Sequence, residues 1–209
     1  MSYELYGDYG SGATIIELAM AEMGIAYEFH LVDLGSEQQR QAEFLRLNPA
    51  GKVPAVITPE GELLTESLAI LLTLVDRFGG RGLLPAEPVA RASAMRWLCF
   101  MATELYPVIE IIDYPERFDA SENPEGVRAV AVDKWRRRWM LVEQAAIADP
   151  WFLGEDFSVV DIYAAVVSRW AHQAQWRPVN LPKIEAIAVG LAARPALAGI
   201  WRRSFPGGG

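Results

Sequence analysis

Two adjacent residues, Glu66 and Ser67, stand before an apolar helical pattern and offer binding chemistry for a charged ligand. The start of a helix attracts an anion, because its backbone N–H groups are unpaired and its dipole is positive there. A glutamate beside such a site would hold an ammonium group, so the pair suits both charges of an α-amino acid. The simpler interpretation is that Ser67 only caps the helix and Glu66 precedes it. The dipeptide alone leaves both interpretations open.

A proline at the start of a strand pattern is the second feature of interest. Pro54 follows Val53 at the head of an apolar run that ends at Thr58. Proline has no N–H to contribute to a sheet, so it belongs at strand starts and sheet edges. A cis Val53–Pro54 bond would turn the chain sharply and leave the N–H and C=O groups of Val53 facing outward. An ordinary proline at a sheet edge is the alternative.

The glycine-rich loop from Gly7 to Gly12 imitates a dinucleotide-binding turn between a strand and a helix. Its spacing is G-x-x-G-x-G instead of G-x-G-x-x-G, and further βαβ units are missing, which argues against that function. Ser11 has no G-x-S-x-G context, so the loop is not a nucleophile elbow. His30 and His172 have neither metal-ligand nor triad spacing, and we interpret them as structural or surface residues. We expect no metal site.

The elements that must position these residues form a small α/β unit. A parallel strand pair joined by a helix requires a right-handed crossover, whereas the turn Pro59-Glu60-Gly61 joins antiparallel strands. The predicted sheet is therefore mixed, with helices packed on it. The predicted order is strand 3–7, helix 13–23 ending at Gly24, strand 27–32, a helix ending at Asn48, strand 53–58, strand 62–64 and helix 67–78.

A Gly- and Pro-rich stretch, residues 79–88, separates this unit from a second half in which every pattern is helical. Apolar stripes at helical spacing are centred on Met95, Trp135, Tyr163, Ile187 and Ile200. Ser158 and Asp161 fit a capping box at the start of one of these helices. The basic run 134–138 is interpreted as a solvated face whose tryptophan points inward.

Composition and charge restrict the possible functions. Of the 209 residues, 52% are hydrophobic, which is enough to build a packed core. The formal net charge of −8 argues against binding to nucleic acid or to an anionic membrane surface. The single cysteine, Cys99, cannot form an internal disulfide, and we expect it to be buried as a small hydrophobe. We expect no secretory signal and no membrane span, so the predicted compartment is the cytoplasm.

Together and in this order, the motifs resemble those of the glutathione transferase superfamily over nearly the whole chain. The resemblance is carried by Ser11, by Asn48-Pro49-Ala50-Gly51-Lys52-Val53-Pro54-Ala55, by Glu66-Ser67, by Leu84-Pro85-Ala86-Glu87-Pro88, by Phe157-Ser158-Val159-Val160-Asp161 and by Ala193-Arg194-Pro195-Ala196. It implies a thioredoxin-like α/β domain at residues 1–78, a linker at 79–88 and an all-α domain at 89–209.

The resemblance also implies the roles of individual residues in binding glutathione. Pro54 matches the cis-proline of the family, and Val53 would pair its backbone with the cysteinyl unit of glutathione. Glu66 and Ser67 match the pair that holds the γ-glutamyl end. Lys52 matches a position that reaches the glycyl carboxylate in some classes.

Ser11 resembles the hydroxyl that donates a hydrogen bond to the sulfur in serine-type classes. The loop departs from those classes, because Ala13 stands where bacterial serine-type members often have Asn. Tyr6, Tyr9 or Thr14 could therefore replace Ser11 in activating the thiol.

The implied activity is conjugation of glutathione, the co-substrate, to small hydrophobic electrophiles in detoxification, without a metal. Aromatic side chains of the helical half suit flat apolar acceptors, and Tyr106 is preferred over Trp97, Met101 and Tyr114. The alternatives are a non-catalytic binding or regulatory protein and a glutathione-dependent isomerase or dehalogenase. We also expect a homodimer, because helix 67–78 is apolar on nearly every side and must be covered on both faces.

Overall fold

The computed structural model describes residues 2–79, 82–118 and 122–208 of the chain. Its contacts divide the chain into two compact units, one comprising Met1–Leu84 with Leu191–Gly209 and the other comprising Pro85–Gly190. The C-terminal segment, which the sequence pattern groups with the helical half, therefore belongs to the first unit by its contacts.

A four-stranded mixed sheet lies at the centre of the first unit, in the order β2-β1-β3-β4. Its strands are β1 (Tyr3–Gly7), β2 (Tyr27–Leu31), β3 (Ala55–Ile57) and β4 (Leu63–Thr65). β1 and β2 are parallel, whereas β3 is antiparallel to both β1 and β4. These pairings confirm the predicted thioredoxin-like arrangement. The third strand begins after Pro54, because proline has no N–H to add to the ladder.

Helices α1 (Gly12–Met23), α2 (Ala42–Leu47) and α3 (Ser67–Arg77) complete the sheet unit. α1 packs against β1 and α3. It ends as predicted at Gly24, whose left-handed φ of 67° is typical of a C-cap glycine. α2 contributes Phe44 to a small apolar cluster with two residues of the sheet unit, Val32 and Ala55.

The second unit is built from helices, as predicted. They are α4 (Pro88–Phe100), α5 (Tyr106–Asp113), α6 (Pro124–Ala145), α7 (Val159–Val167), α8 (Arg177–Asn180) and most of α9 (Pro182–Ala193). A π-helical turn, Met101–Leu105, joins α4 to α5 just before Pro107, which cannot donate a helical hydrogen bond. None of the helices in the described ranges is both long enough and apolar enough to cross a membrane.

The predicted capping box at the start of α7 is confirmed. The N–H of Ser158 donates to the Asp161 carboxylate at 2.7 Å, and the N–H of Val160 donates to the Ser158 hydroxyl at 3.3 Å. Asp161 is fully buried and also accepts the N–H of Phe152 at 2.7 Å. Burial raises the pKa of the Asp161 carboxyl despite these hydrogen bonds. The box therefore fixes the chain before α7 as well as the helix start.

Cys99 is exposed, which corrects the expectation that it is buried. The buried side of α4 carries Ala94, Trp97 and Leu98. Each residue of a helix is rotated by about 100° from the one before, so position 99 faces away from that side. Within the basic run 134–138, Trp135 is fully buried as predicted.

Ion pairs hold the C-terminal segment, including α10 (Ala198–Ser204), on α1. The Arg194 guanidinium pairs with Glu22, and the Arg203 guanidinium pairs with Glu17. Glu17 is only 2% exposed, and a buried carboxylate is costly without such a partner. These contacts explain why the end of the chain belongs to the sheet unit.

Candidate functional site

One edge of the sheet gathers three of the predicted site segments. Tyr6 of β1 is paired with Ala55 of β3, and Ala55 is paired with Thr65 of β4. The loop that contains Ser11 follows β1, the predicted cis-proline step precedes β3, and the predicted zwitterion-binding pair follows β4. Neighbouring strands lie about 4.8 Å apart, so roughly 10 Å separates the outer two segments. An extended tripeptide spans about the same length.

Ser11 is the N-cap residue of α1. Its hydroxyl accepts the N–H of Ala13 at 3.2 Å and the N–H of Asp8 at 3.3 Å, and it donates to the Asp8 carbonyl at 2.7 Å. A hydroxyl has one proton, so Ser11 can donate to a sulfur only after its O–H rotates away from that carbonyl. The structure thus adds a capping role, and thiol activation by Ser11 stays a prediction.

The other three hydroxyls considered for this role have different surroundings. The hydroxyl of Tyr6 donates to Glu4 at 2.6 Å, and burial together with this hydrogen bond raises the pKa of Tyr6 to about 12. The hydroxyl of Thr14 donates to that of Ser204 at 3.2 Å. The hydroxyl of Tyr9 has no hydrogen-bond partner within the described ranges, and the residue is 42% exposed. Tyr9 is therefore the alternative with an available donor.

The Val53–Pro54 peptide bond is cis, as the resemblance implied. Asn48, which is 5% exposed, organises the loop before it. The Asn48 side chain donates to the Lys52 carbonyl at 2.7 Å and accepts the N–H of Ala50 at 3.1 Å. Asn48 is not among the site residues predicted from the sequence, although an asparagine before a proline is a turn signature. The Lys52 side chain is exposed to solvent.

Glu66, and not Ser67, is the N-cap residue of α3, which corrects the interpretation that Ser67 caps this helix. Glu66 is exposed, with φ 64° and ψ 110°, and its side chain makes no capping hydrogen bond. A side chain normally caps a helix from an extended backbone, which this positive φ prevents. Ser67 is the first helical residue and is 8% exposed. The N-cap side chain therefore does not occupy the start of α3. An external anion site requires this, because the anion would take the place of the capping group.

Tyr106, the predicted acceptor contact, is the first residue of α5 and is half-buried. Its ring lies edge-on to that of Trp170, with centroids 4.7 Å apart. Of the other three candidates, Trp97 and Met101 are core residues at 8% and 0% exposure, whereas Tyr114 is half-buried. Partial exposure therefore distinguishes the two tyrosines from the core residues.

The histidines do not form a metal centre within the described ranges, where no group of three or more His, Cys, Asp or Glu side chains could hold an ion. The ring of His30 stacks on that of Tyr6, with centroids 4.5 Å apart. The side chain of His172 is 90% exposed. These positions match the predicted structural and surface roles.

Comparison with known proteins gives similarities along nearly the whole chain. A model of the family described as "Glutathione S-transferase, N-terminal domain" matches residues 1–75. The uncharacterized GST-like protein YncG of Escherichia coli K12 is 31% identical over 205 residues, which cover 96% of this chain and 98% of YncG. Glutathione S-transferase GstA of Escherichia coli O157:H7 is 27% identical over 194 residues, which cover 92% of this chain and 94% of GstA.

A solved structure shows the same similarity in three dimensions. It is the crystal structure of a glutathione transferase homolog from Sulfitobacter with bound glutathione. Its TM-score to this chain is 0.88 at 26% identity, and the match covers 95% of this chain and 96% of that one.

Proposed function

This chain belongs to the glutathione S-transferase superfamily, and we propose that it binds glutathione at the sheet edge and conjugates it to small hydrophobic electrophiles. The observation that carries the proposal is the meeting of three segments at one edge, over about the length of a tripeptide. The glutathione bound to the similar Sulfitobacter protein supports the identity of that tripeptide.

The start of α3, where the Glu66 side chain makes no capping hydrogen bond, supports the placement of the γ-glutamyl group. Its carboxylate would accept hydrogen bonds at the helix N-terminus, where Ser67 is the first helical residue. Its ammonium would pair with the exposed carboxylate of Glu66, in a charge-assisted hydrogen bond. Both charges of the ligand would thus be met by adjacent residues.

The turn before β3 supports the placement of the other two residues of glutathione. The backbone of Val53 would pair with the cysteinyl unit beside the cis bond to Pro54. Lys52 is an exposed residue, and its ammonium would pair with the glycyl carboxylate. Asn48 would contribute indirectly, because it fixes the carbonyl of Lys52.

The start of α1 would favour the thiolate form of glutathione. The dipole of this helix is positive there, and a hydrogen bond from Ser11 to the sulfur would stabilise the charged form further. The thiolate would then attack an electrophilic carbon and form a C–S bond. In a substitution, the leaving group departs with the bonding electron pair. In an addition, that pair moves to the neighbouring atom, which takes a proton from solvent.

The helical unit would contribute Tyr106 to binding the electrophile. This residue is half-buried, so part of its ring is accessible, and aromatic rings bind flat apolar groups well. A cytoplasmic detoxification role is the setting that this reaction implies. The substitution Tyr106→Ala should raise the KM for apolar electrophiles and leave glutathione affinity unchanged.

We also propose a homodimer that covers the outer side of α3. Leu68 and Leu72 of this helix are only half-buried in the single chain, whereas Leu71 and Leu74 are fully buried. Burying the first pair as well would remove apolar surface from water. Sedimentation at micromolar concentration should therefore give twice the chain mass, and a single species of 23.2 kDa would contradict the dimer.

The proposed activity is tested by calorimetry with glutathione, followed by a panel of aryl halides, epoxides and enones. S-methylglutathione should bind without reacting, and cysteinylglycine should bind weakly because it lacks the γ-glutamyl charges. We expect thioether products by mass spectrometry. Binding without turnover would identify a non-catalytic protein, and isomerised or dehalogenated products without a stable thioether would identify the isomerase or dehalogenase alternative. Absence of glutathione binding would overturn the proposal.

A further inference from the structure

The end of α10 lies against the loop that carries Ser11. Three consecutive residues, Arg203, Ser204 and Phe205, make these contacts, and we call them the C-terminal clamp. We propose that the clamp and Thr14 are positioning elements that hold the β1–α1 loop in the conformation needed for thiol activation. This inference rests on the proposed glutathione chemistry and adds residues that are distant in sequence, since Thr14 and Ser204 are 190 positions apart.

Thr14 links the clamp to the loop. Its hydroxyl donates to the hydroxyl of Ser204 at 3.2 Å and accepts the N–H of Gly10 at 3.0 Å. Its backbone N–H donates to the Ser11 carbonyl at 3.0 Å. Thr14 is 1% exposed, so water does not compete for these bonds. Thr14 therefore binds two consecutive loop residues, Gly10 and Ser11, and also binds Ser204 of the clamp.

Gly10 approaches the clamp directly. A Cβ atom at this position would lie 3.1 Å from the Ser204 carbonyl oxygen and 3.5 Å from the ring of Phe205. The φ of Gly10 is 76°, which a residue with a side chain rarely adopts. The loop and the clamp are therefore packed so closely that neither moves far without the other.

Arg203, the charged residue of the clamp, makes a further contact with the loop. The Arg203 guanidinium pairs with the buried carboxylate of Glu17 and lies 4.6 Å from the ring centroid of Tyr9, a residue of the same loop. Glu17 also accepts the hydroxyl of Tyr27 at 2.8 Å. Burial and the charge of Glu17 raise the pKa of Tyr27, so that hydroxyl keeps its proton at neutral pH. The anchor is thus a network of one carboxylate, one guanidinium and two tyrosines.

The chemical consequence concerns the direction of the Ser11 hydroxyl. A displacement of about 1 Å at a reacting centre can reduce turnover roughly a hundredfold, so small loop movements matter. Glutathione itself is proposed to bind residues at the ends of β3 and β4, which are not among the clamp contacts described above. Loosening the clamp should therefore change thiol ionisation and turnover while leaving glutathione affinity nearly unchanged.

The test compares four variants of this chain. Thr14→Val removes the hydroxyl and keeps the shape of the side chain, whereas Thr14→Ser restores the hydroxyl. Thr103→Val is the matched control, because among the described residues the Thr103 hydroxyl bonds only the Cys99 carbonyl of its own helical segment, at 2.9 Å. For Thr14→Val we expect about tenfold faster amide exchange at Gly10 and roughly tenfold lower turnover. The thiolate absorbance of bound glutathione should titrate at higher pH, and calorimetric affinity should change by less than about twofold.

Ser204→Ala provides a milder variant, because Thr14 still bonds Gly10 when its partner in the clamp is removed. We expect smaller changes in the same directions, and Thr14→Ser should resemble the wild type. Unchanged Gly10 exchange in both Thr14→Val and Ser204→Ala would overturn the proposal, as would faster exchange with an unshifted thiolate titration. A wild-type protein that does not bind glutathione would overturn the proposed function as well. Normal binding with an unshifted titration overturns only the role of the clamp.

Discussion

Two helices begin at the same edge of the sheet, and they begin in opposite ways. At α1, the N-cap Ser11 has an extended backbone, with φ −83° and ψ −172°, and its hydroxyl accepts the N–H of Ala13. At α3, the N-cap Glu66 has φ 64°, and its side chain makes no capping hydrogen bond. One helix start is capped by its own N-cap side chain, and the other is not.

Backbone conformation explains this difference and indicates two separate tasks. An extended N-cap brings its oxygen over the first turn of the helix, whereas a positive φ does not. Unfavourable backbone conformations cost on the order of 1–3 kcal/mol and tend to persist at functional sites. We infer that the α3 start binds the charged end of the ligand, while the α1 start positions a hydroxyl for the sulfur.

The largest effect is expected from Gly7→Ala, which disrupts the packing of β1 against the closed start of α1. A Cβ atom at Gly7 would lie 2.0 Å from the Cβ of Ala13, so β1 and α1 would have to separate. Overpacked sites lose about 1–3 kcal/mol and sometimes more, and we expect at least the upper value because two backbones are involved. The measurement is urea unfolding followed by circular dichroism. Gly199→Ala is the control, since a Cβ there meets no atom within 4 Å. Equal stability of the two variants would contradict the steric argument.

The next largest effect is expected from Glu66→Ala, which tests the open helix start. Removing this carboxylate leaves the ligand ammonium without its charged partner, at a cost of about 1.5–3 kcal/mol. Calorimetry should therefore show roughly ten- to hundredfold weaker glutathione binding. Glu62→Ala removes a nearby exposed glutamate that pairs with Arg77, and it should bind like the wild type. If Glu66→Ala also binds like the wild type, the open start does not hold the γ-glutamyl group.

Substitution of Ser11 separates capping from thiol chemistry. Ser11→Ala removes the cap and should destabilise the protein by about 1 kcal/mol, whereas Ser11→Gly should cost only a few tenths of a kcal/mol. Both remove the hydroxyl, so both should lower turnover and move the thiolate absorbance of bound glutathione to higher pH, with affinity nearly unchanged. An unshifted titration in both variants would transfer the role to Tyr9, whose hydroxyl is available.

Features that depend on a few neighbouring residues were predictable from the sequence. Gly24 ends α1 as expected, and Ser158 with Asp161 forms the expected capping box. In each case the residues that determine the geometry lie within four positions of one another, so the chain between them leaves few alternatives. The parallel β1–β2 pair and the antiparallel β3–β4 pair followed in the same way from the helical crossover and the short turn.

Features that depend on packing were not predictable in this way. The cap of α3 falls on Glu66 because the chain leaving β4 turns with a positive φ at this residue, which no local pattern shows. Cys99 is exposed because the packing of α4 selects which side of the helix is buried. Thr14 and Ser204 meet across 190 positions, and only the folded chain brings them together.

The smallest expected effect separates backbone conformation from charge at the open helix start. Glu66→Ala and Glu66→Gly both remove the carboxylate, so their glutathione affinities should be equally weak. Only glycine adopts φ 64° without a steric penalty from a Cβ atom. Glu66→Gly should therefore be more stable than Glu66→Ala by about 0.5–1 kcal/mol, although glycine loses more entropy on folding. Urea unfolding of the two variants measures this difference.

The same pair of substitutions at Glu62 provides the control, because φ of Glu62 is not in the left-handed region. There the order should reverse, and Glu62→Gly should be less stable than Glu62→Ala, since only the entropy of glycine remains. If alanine is the more stable substitution at both positions, the positive φ of Glu66 costs little. In that case Glu66 itself, and not the turn between β4 and α3, would determine the conformation of the open α3 start.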